Sequence, residues 1–191
     1  MSSPPTEIQI NAEPVESNVI VDPADIPKPL SDNWVMWFHR VDDEKWDLNS
    51  YIELCTLTDL EDFHGMFNTF FNLHEKMTAN AGMFFLMREG ITPMWEDKRN
   101  RTGGMWSYKL PKKEGNVLKS DVVWKKIVAA CIGMTLTKNP EHMKYINGLS
   151  ISPKLDNCII KIWNNDCTKT SASLITDIEG LDNVKAIYKR C

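Results

Sequence analysis

Gly82-Met83-Phe84-Phe85-Leu86-Met87-Arg88-Glu89-Gly90-Ile91-Thr92-Pro93-Met94-Trp95-Glu96-Asp97 is the stretch whose reading decides the fold. The apolar run Met83–Met87 is too short for a buried helix and suits a central strand. Pro93 lacks an N–H and pushes Thr92 into an extended conformation, so the segment after the strand reads as a loop. That loop sets an indole, Trp95, beside a carboxylate, Glu96. An ionised carboxylate only accepts hydrogen bonds, which suits a partner with two adjacent N–H groups such as the Watson–Crick edge of guanine. The plainer alternative has Trp95 plugging the core and Glu96 in solvent.

Working upstream, Trp34, Met36 and Phe38 alternate with Val35, Trp37 and His39, a period-two strand with bulky residues on both faces. Asp42–Asn49 reads as a charged loop holding Trp46, and Tyr51–Leu57 as a second strand. Thr58-x-x-Glu61 has the form of a capping box, and Phe63, Met66, Phe67, Phe70, His74 and Met77 recur at helical spacing, so a first helix is expected from about Leu60 to Met77. Residues 1–29 carry six of the ten prolines and no tryptophan or glycine, and are expected to be a disordered arm before one domain over residues 30–191.

Downstream, turn residues Asn100–Gly104 lead into a strand over Met105–Leu110, expected to pair with Met83–Met87 as an antiparallel neighbour. Ser120 or Asp121 caps a second helix that buries Val123, Trp124, Ile127, Val128, Cys131 and Met134, with Lys125, Lys126 and Ala129 outward. Asn139-Pro140-Glu141 starts a short turn. Tyr145–Ser152 and Cys158–Trp163 read as strands joined through Lys154, and Asn165, Asp166 or Thr168 as the cap of a third helix ending at Gly180, with Ala172, Ile175 and Ile178 inward. Val184–Tyr188 reads as a last strand. The sum is an α+β fold: a curved antiparallel sheet with three helices on one face.

Charge and composition narrow the function. The first 28 residues hold five acids and one base, leaving 21 of each sign in the rest. A formally neutral body does not track phosphates over a broad basic surface, so any nucleotide site is small and local. The five cysteines show no metal-ligand spacing, which implies reduced thiols and no metal or cofactor. Neither a spanning segment nor a signal peptide is visible; the expected protein is soluble, cytoplasmic, monomeric and not membrane-bound. A thiol enzyme built on Cys131 or Cys158 is disfavoured, because the first lies on a buried helix face and the second has no evident base. Position sorts the seven tryptophans: Trp34, Trp37, Trp106 and Trp124 at core-facing places, Trp46 and Trp95 in loops. Two loop indoles suit a stacking pair, since a stacked base contributes about 1–3 kcal/mol. A cationic, methylated guanine would gain about 0.5–2 kcal/mol more from the indole quadrupole.

Trp46 after the strand opening Trp34-x-x-Trp37-Phe38, Pro93-Met94-Trp95-Glu96-Asp97, Gly103-Gly104-x-Trp106, Trp124 with Ile132-Gly133, and Lys161-Ile162-Trp163 together resemble the eukaryotic translation initiation factor 4E family, the messenger-RNA cap-binding proteins. The resemblance runs from about Pro29 to the C-terminus. It implies a strongly curved antiparallel sheet backed by three α-helices on its convex face, a cap pocket on the concave face, and a non-enzymatic role in recruiting capped messenger RNA for translation initiation. Trp46 and Trp95 match the stacking pair, Glu96 the guanine-reading acid and Trp163 the residue touching the methyl group.

The departures are informative. Lys154 stands at the family's phosphate arginine and keeps the charge without the bidentate fork. Ile159 stands at the phosphate lysine; Lys161, one pleat along, shares its face and either takes over the phosphate contact or is a solvated strand lysine. The face for the scaffold factor 4G or a 4E-binding protein falls on Pro29, Leu30, Leu60, His64, Lys125, Lys126 and Ala129. There His64 replaces a tryptophan and Lys126 an acid, so altered partner specificity is expected. This leaves a second reading open, a divergent paralogue that represses or stores messages. Regulation through a serine beyond the last strand is expected to be absent or placed elsewhere.

Overall fold

The computed structural model describes residues 27–69, 82–112 and 119–191. The expected disordered arm, apart from its last three residues, and the later part of the first helix lie outside them. The described residues form seven strands, β1 (Pro29–Arg40), β2 (Tyr51–Asp59), β3 (Gly82–Arg88), β4 (Gly104–Pro111), β5 (Ile146–Pro153), β6 (Asn157–Asn164) and β7 (Ile187–Arg190), with helices α1 (Leu60–Phe67) and α2 (Lys119–Ile132). The strands make one open, curved antiparallel sheet in the order β2-β1-β3-β5-β6-β4-β7. Register shifts between β1 and β2 and between β5 and β6 add local twist.

Alternation gives this sheet two apolar faces. Trp34 and Met36 of β1, Phe84 and Leu86 of β3, Trp106 and Tyr108 of β4, and Ile160 and Ile162 of β6 pack with Val123, Trp124, Ile127, Val128 and Cys131 of α2 into the main core. Their immediate neighbours in sequence, Phe85, Met87, Met105 and Trp163, form a second cluster with Trp37 and Tyr51 on the other face. Helices cover the first face. The second is free to hold a ligand.

Three expectations are corrected. β4 does not pair with β3: it lies between β6 and β7, while β3 lies between β1 and β5. The connection over residues 89–103 is a structured loop rather than a hairpin turn, and the β5–β6 hairpin fills the place beside β3. The third helix reduces to a 3-10 turn, Ala172–Leu174, capped by Ser171. Asp166 accepts from both the N–H and the hydroxyl of Thr168, and Thr168, Ser171 and Ser173 compete locally for hydrogen bonds that a helix would need. Ala172 and Ile175 are nonetheless buried as expected. The last strand begins three residues later than Val184.

α1 opens one residue after the expected box: Asp59 accepts from the Asp62 N–H, and the Asp62 carboxylate accepts from the Thr58 N–H and hydroxyl. The paired glycines have a steric reason. A Cβ on Gly103 would meet the backbone of Asn164, and one on Gly104 would meet the Lys189 carbonyl and the Tyr188 ring. They let β4 approach its neighbours closely enough to bring β6 and β7 beside the loop that carries Trp95.

A candidate ligand cavity between two tryptophan loops

The uncovered face of the sheet holds a cavity of about 620 Å³, lined by both loops and by β3, β5 and β6. Its floor is Phe85, Met83 and Trp163. Trp163 is 1% exposed, and its indole N–H donates to the Ser150 hydroxyl at 3.0 Å, which fixes the ring in the floor.

The Trp95 loop is held from within. The Asp97 carboxylate accepts from the Thr92 N–H at 2.9 Å, the Thr92 hydroxyl at 3.0 Å and the Arg99 N–H at 2.9 Å. Buried Asn100 donates to the carbonyls of Thr92 and Met94, and Asn147 of β5 donates to the Asn100 side chain and the Arg99 carbonyl. Pro93 is buried, whereas Trp95 is 47% exposed and Glu96 is exposed beside it. The indole and the carboxylate are therefore displayed on a rigid turn. Burial pushes Asp97 up, but its hydrogen bonds from Thr92 and Arg99 outweigh that and hold it below the usual carboxylate range.

The opposite wall carries Trp46, 54% exposed. Its ring stacks on fully buried His39 with centroids 4.3 Å apart and planes at 6°. Each His39 ring nitrogen lies 2.8 Å from a carbonyl oxygen, of Arg40 and of Lys45, so the histidine also ties down the loop. Asp47 caps the following 3-10 turn through the Asn49 N–H. Tyr51 meets the His39 ring edge-on at 4.9 Å. Burial, and secondarily the charge of Glu96, push its phenol up to about 12, so it stands as a neutral hydroxyl in the cavity wall.

Cations gather at one end. Ile159, Lys161 and Trp163 of β6 share the cavity face, as alternation requires, and Lys154 projects from the β5–β6 turn. The Lys161 ammonium lies 6.0 Å from both the Trp95 and Trp163 rings. Burial lowers its pKa, and the charges of Lys189 and Lys154 lower it further.

The fold thus brings Trp46, Trp95, Glu96, Trp163, Lys154 and Lys161 around one cavity. Sequence reasoning missed His39, Tyr51, Ser150 and Lys189. A polar residue in the apolar strand Trp34–His39 was the available signal for the first; the others depend on strand pairing. On the helix-bearing side, Pro29, Leu60, His64 and Ala129 are exposed, Leu30 is partly buried, and the Leu60 N–H donates to the Lys28 carbonyl. Lys125 and Lys126 lie partly exposed on α2, and Lys126 pairs with Glu179 at 2.6 Å. Among the described residues no cluster of three or more His, Cys, Asp or Glu could hold a metal, and no helix is long and apolar enough to cross a membrane.

Residues 29–185 match the family model described as eukaryotic initiation factor 4E. The eukaryotic translation initiation factor 4E of Aplysia californica is 30% identical over 161 residues, 83% of this chain and 72% of that protein. Ascaris suum eIF4E-3, solved with an m7G cap, is 27% identical with a TM-score of 0.62 over 76% of this chain and 77% of its own. Caenorhabditis elegans eIF4E-3, solved with the 4E-binding protein Mextli and a cap analog, shares the fold at 23% identity and a TM-score of 0.62, covering 75% of this chain and 78% of its own.

The Asp97 network predicts an acid-sensitive loop. Its stabilisation is complete above the ordinary carboxylate range and is lost as pH falls through that range toward the lower folded value. Asp97→Ala leaves the Thr92 and Arg99 N–H groups without their acceptor and costs about 1–2 kcal/mol in urea unfolding. The wild-type advantage over the variant disappears in strong acid; an unchanged difference there contradicts the assignment.

Proposed function

The chain belongs to the eukaryotic initiation factor 4E family, and from that premise we propose that its cavity binds the 7-methylguanosine cap of messenger RNA. The observation that carries this reading is two half-exposed indoles, one on each loop of the same cavity, with a carboxylate next to one of them. Trp46 and Trp95 stack on the two faces of the cationic base, whose positive charge strengthens contact with an indole quadrupole. Glu96 accepts from the guanine N–H pair. Trp163 meets the base from the floor, and Lys154 and Lys161 take the phosphates.

Binding proceeds without chemical conversion. Burial raises the thiols of Cys131 and Cys158, which leaves neither a ready nucleophile. The role is to recruit capped message for translation initiation in the cytoplasm, through a partner helix docked on Pro29, Leu30, Leu60, His64, Lys125, Lys126 and Ala129.

A second reading has an observation of its own. His64 and Lys126 change the partner face: a scaffold that presents a basic side chain there meets the Lys126–Glu179 ion pair in place of a free carboxylate. A protein holding caps with a different partner would repress or store messages.

Glu96→Gln replaces one acceptor oxygen by a donor. It should lower affinity for 7-methylguanosine triphosphate by about 1–3 kcal/mol in a fluorescence titration, roughly five- to 150-fold. Retained affinity would remove Glu96 from guanine recognition. A 4G-type scaffold peptide should bind this chain at least about tenfold more weakly than Lys126→Glu, measured by calorimetry; equal binding would show that the reversed charge does not set partner choice.

A further inference from the structure

Lys189 of β7 has no role in the reading above. Its register partner on β4 is Met105, a member of the cluster on the cavity side of the sheet, so its side chain emerges on that side. The ammonium lies 4.7 Å from the Trp95 ring centroid, closer than that of Lys161. Lys189 is exposed and lies outside the cavity wall, whereas Lys161 and Lys154 line it. Three ammonium groups therefore stand about the cavity, Lys161 and Lys154 on its wall and Lys189 beside Trp95 at its edge.

Among the described residues, no ion pair engages Lys154, Lys161 or Lys189. Their fields overlap, since Lys189 and Lys154 both bear on the charge of Lys161. In a body balanced in charge overall, a local row of amines at one mouth selects a ligand with several linked negative charges. β6 offers Ile159 in this region, an apolar side chain that cannot hold a phosphate. β7 instead brings a cation level with Trp163, beside Trp95, through the register Lys189–Met105–Trp163.

We propose that Lys189 is a third anion contact, receiving the phosphate chain of the bound nucleotide where it leaves the cavity past Trp95, with Lys161 and Lys154 as the inner contacts. This rests on the cap-binding reading and adds a residue and a direction to it. The phosphates beyond the first would run along the Trp95 edge toward β7. The same chemistry would serve either the distal phosphates of a free nucleotide or the backbone of attached RNA.

The test compares the full chain with Lys189→Met, which keeps an unbranched stem against Trp95, and with Lys189→Arg, which keeps the charge. Each is titrated with 7-methylguanosine monophosphate, 7-methylguanosine triphosphate and a capped trinucleotide at several salt concentrations. Lys189→Met should bind the triphosphate about two- to fivefold more weakly, leave the monophosphate within about twofold, and lower the salt slope by about one; Lys189→Arg should match the parent. A further loss confined to the capped trinucleotide assigns the contact to RNA backbone. Equal loss for mono- and triphosphate reduces Lys189 to packing on Trp95 and overturns the proposal, as does no loss with any ligand. Failure of the unsubstituted chain to bind any methylated nucleotide overturns the cap-binding reading, and this proposal with it.

Discussion

Strand alternation is the constraint on which the rest of this molecule depends. On β6, Ile160 and Ile162 enter the main core, while Ile159, Lys161 and Trp163 face the cavity. On β3, Phe84 and Leu86 pack toward α2, while Phe85 and Met87 join the second cluster. One helix-covered face supplies most of the buried apolar area, and that leaves the other face able to hold a cavity whose floor is still aromatic. A one-residue slip in any of these strands would exchange core for cavity along its whole length.

On this frame the two indoles are fixed by different means. Trp95 sits on a turn closed by Asp97 and Asn100, with Asn147 tying it to β5, so its position comes from polar groups satisfied inside the loop. Trp46 is held by a ring behind it: His39 stacks on the indole and engages two backbone carbonyls. Both arrangements restrict the rings before a ligand arrives, which reduces the ordering that binding must otherwise supply. The cavity carries both signs of charge, with Glu96 next to Trp95 in the loop and Lys154 and Lys161 on the wall formed by β6 and the β5–β6 turn.

Much of this was legible in the sequence. The strands were readable because bulky residues at period two leave no helical alternative, and Trp46, Trp95 and Glu96 stood out because loops do not oblige an indole to be buried. Pairing was less legible: β4 follows β3 in the chain but lies three strands away, and no local pattern shows that residues 89–103 form a closed loop of their own. The apolar spacing of Ala172 and Ile175 was real, yet the hydroxyl-rich segment before them favours turns over a helix. His39 and Lys189 were missed because their roles arise from contacts with Trp46 and Trp95, residues on other segments of the chain. Sequence showed which residues could carry chemistry; topology decided which of them meet.

The central claim is that the two indoles enclose a cationic base. The most direct measurement is the quenching of tryptophan fluorescence by 7-methylguanosine triphosphate and, separately, by unmethylated guanosine triphosphate. A preference of about a hundredfold for the methylated nucleotide, roughly 2.7 kcal/mol, is the predicted result. Equal affinity for the two would contradict it, because hydrogen bonding to Glu96 and the phosphate contacts would be common to both, and the nucleotides differ only in the methyl group and the positive charge it confers on the base.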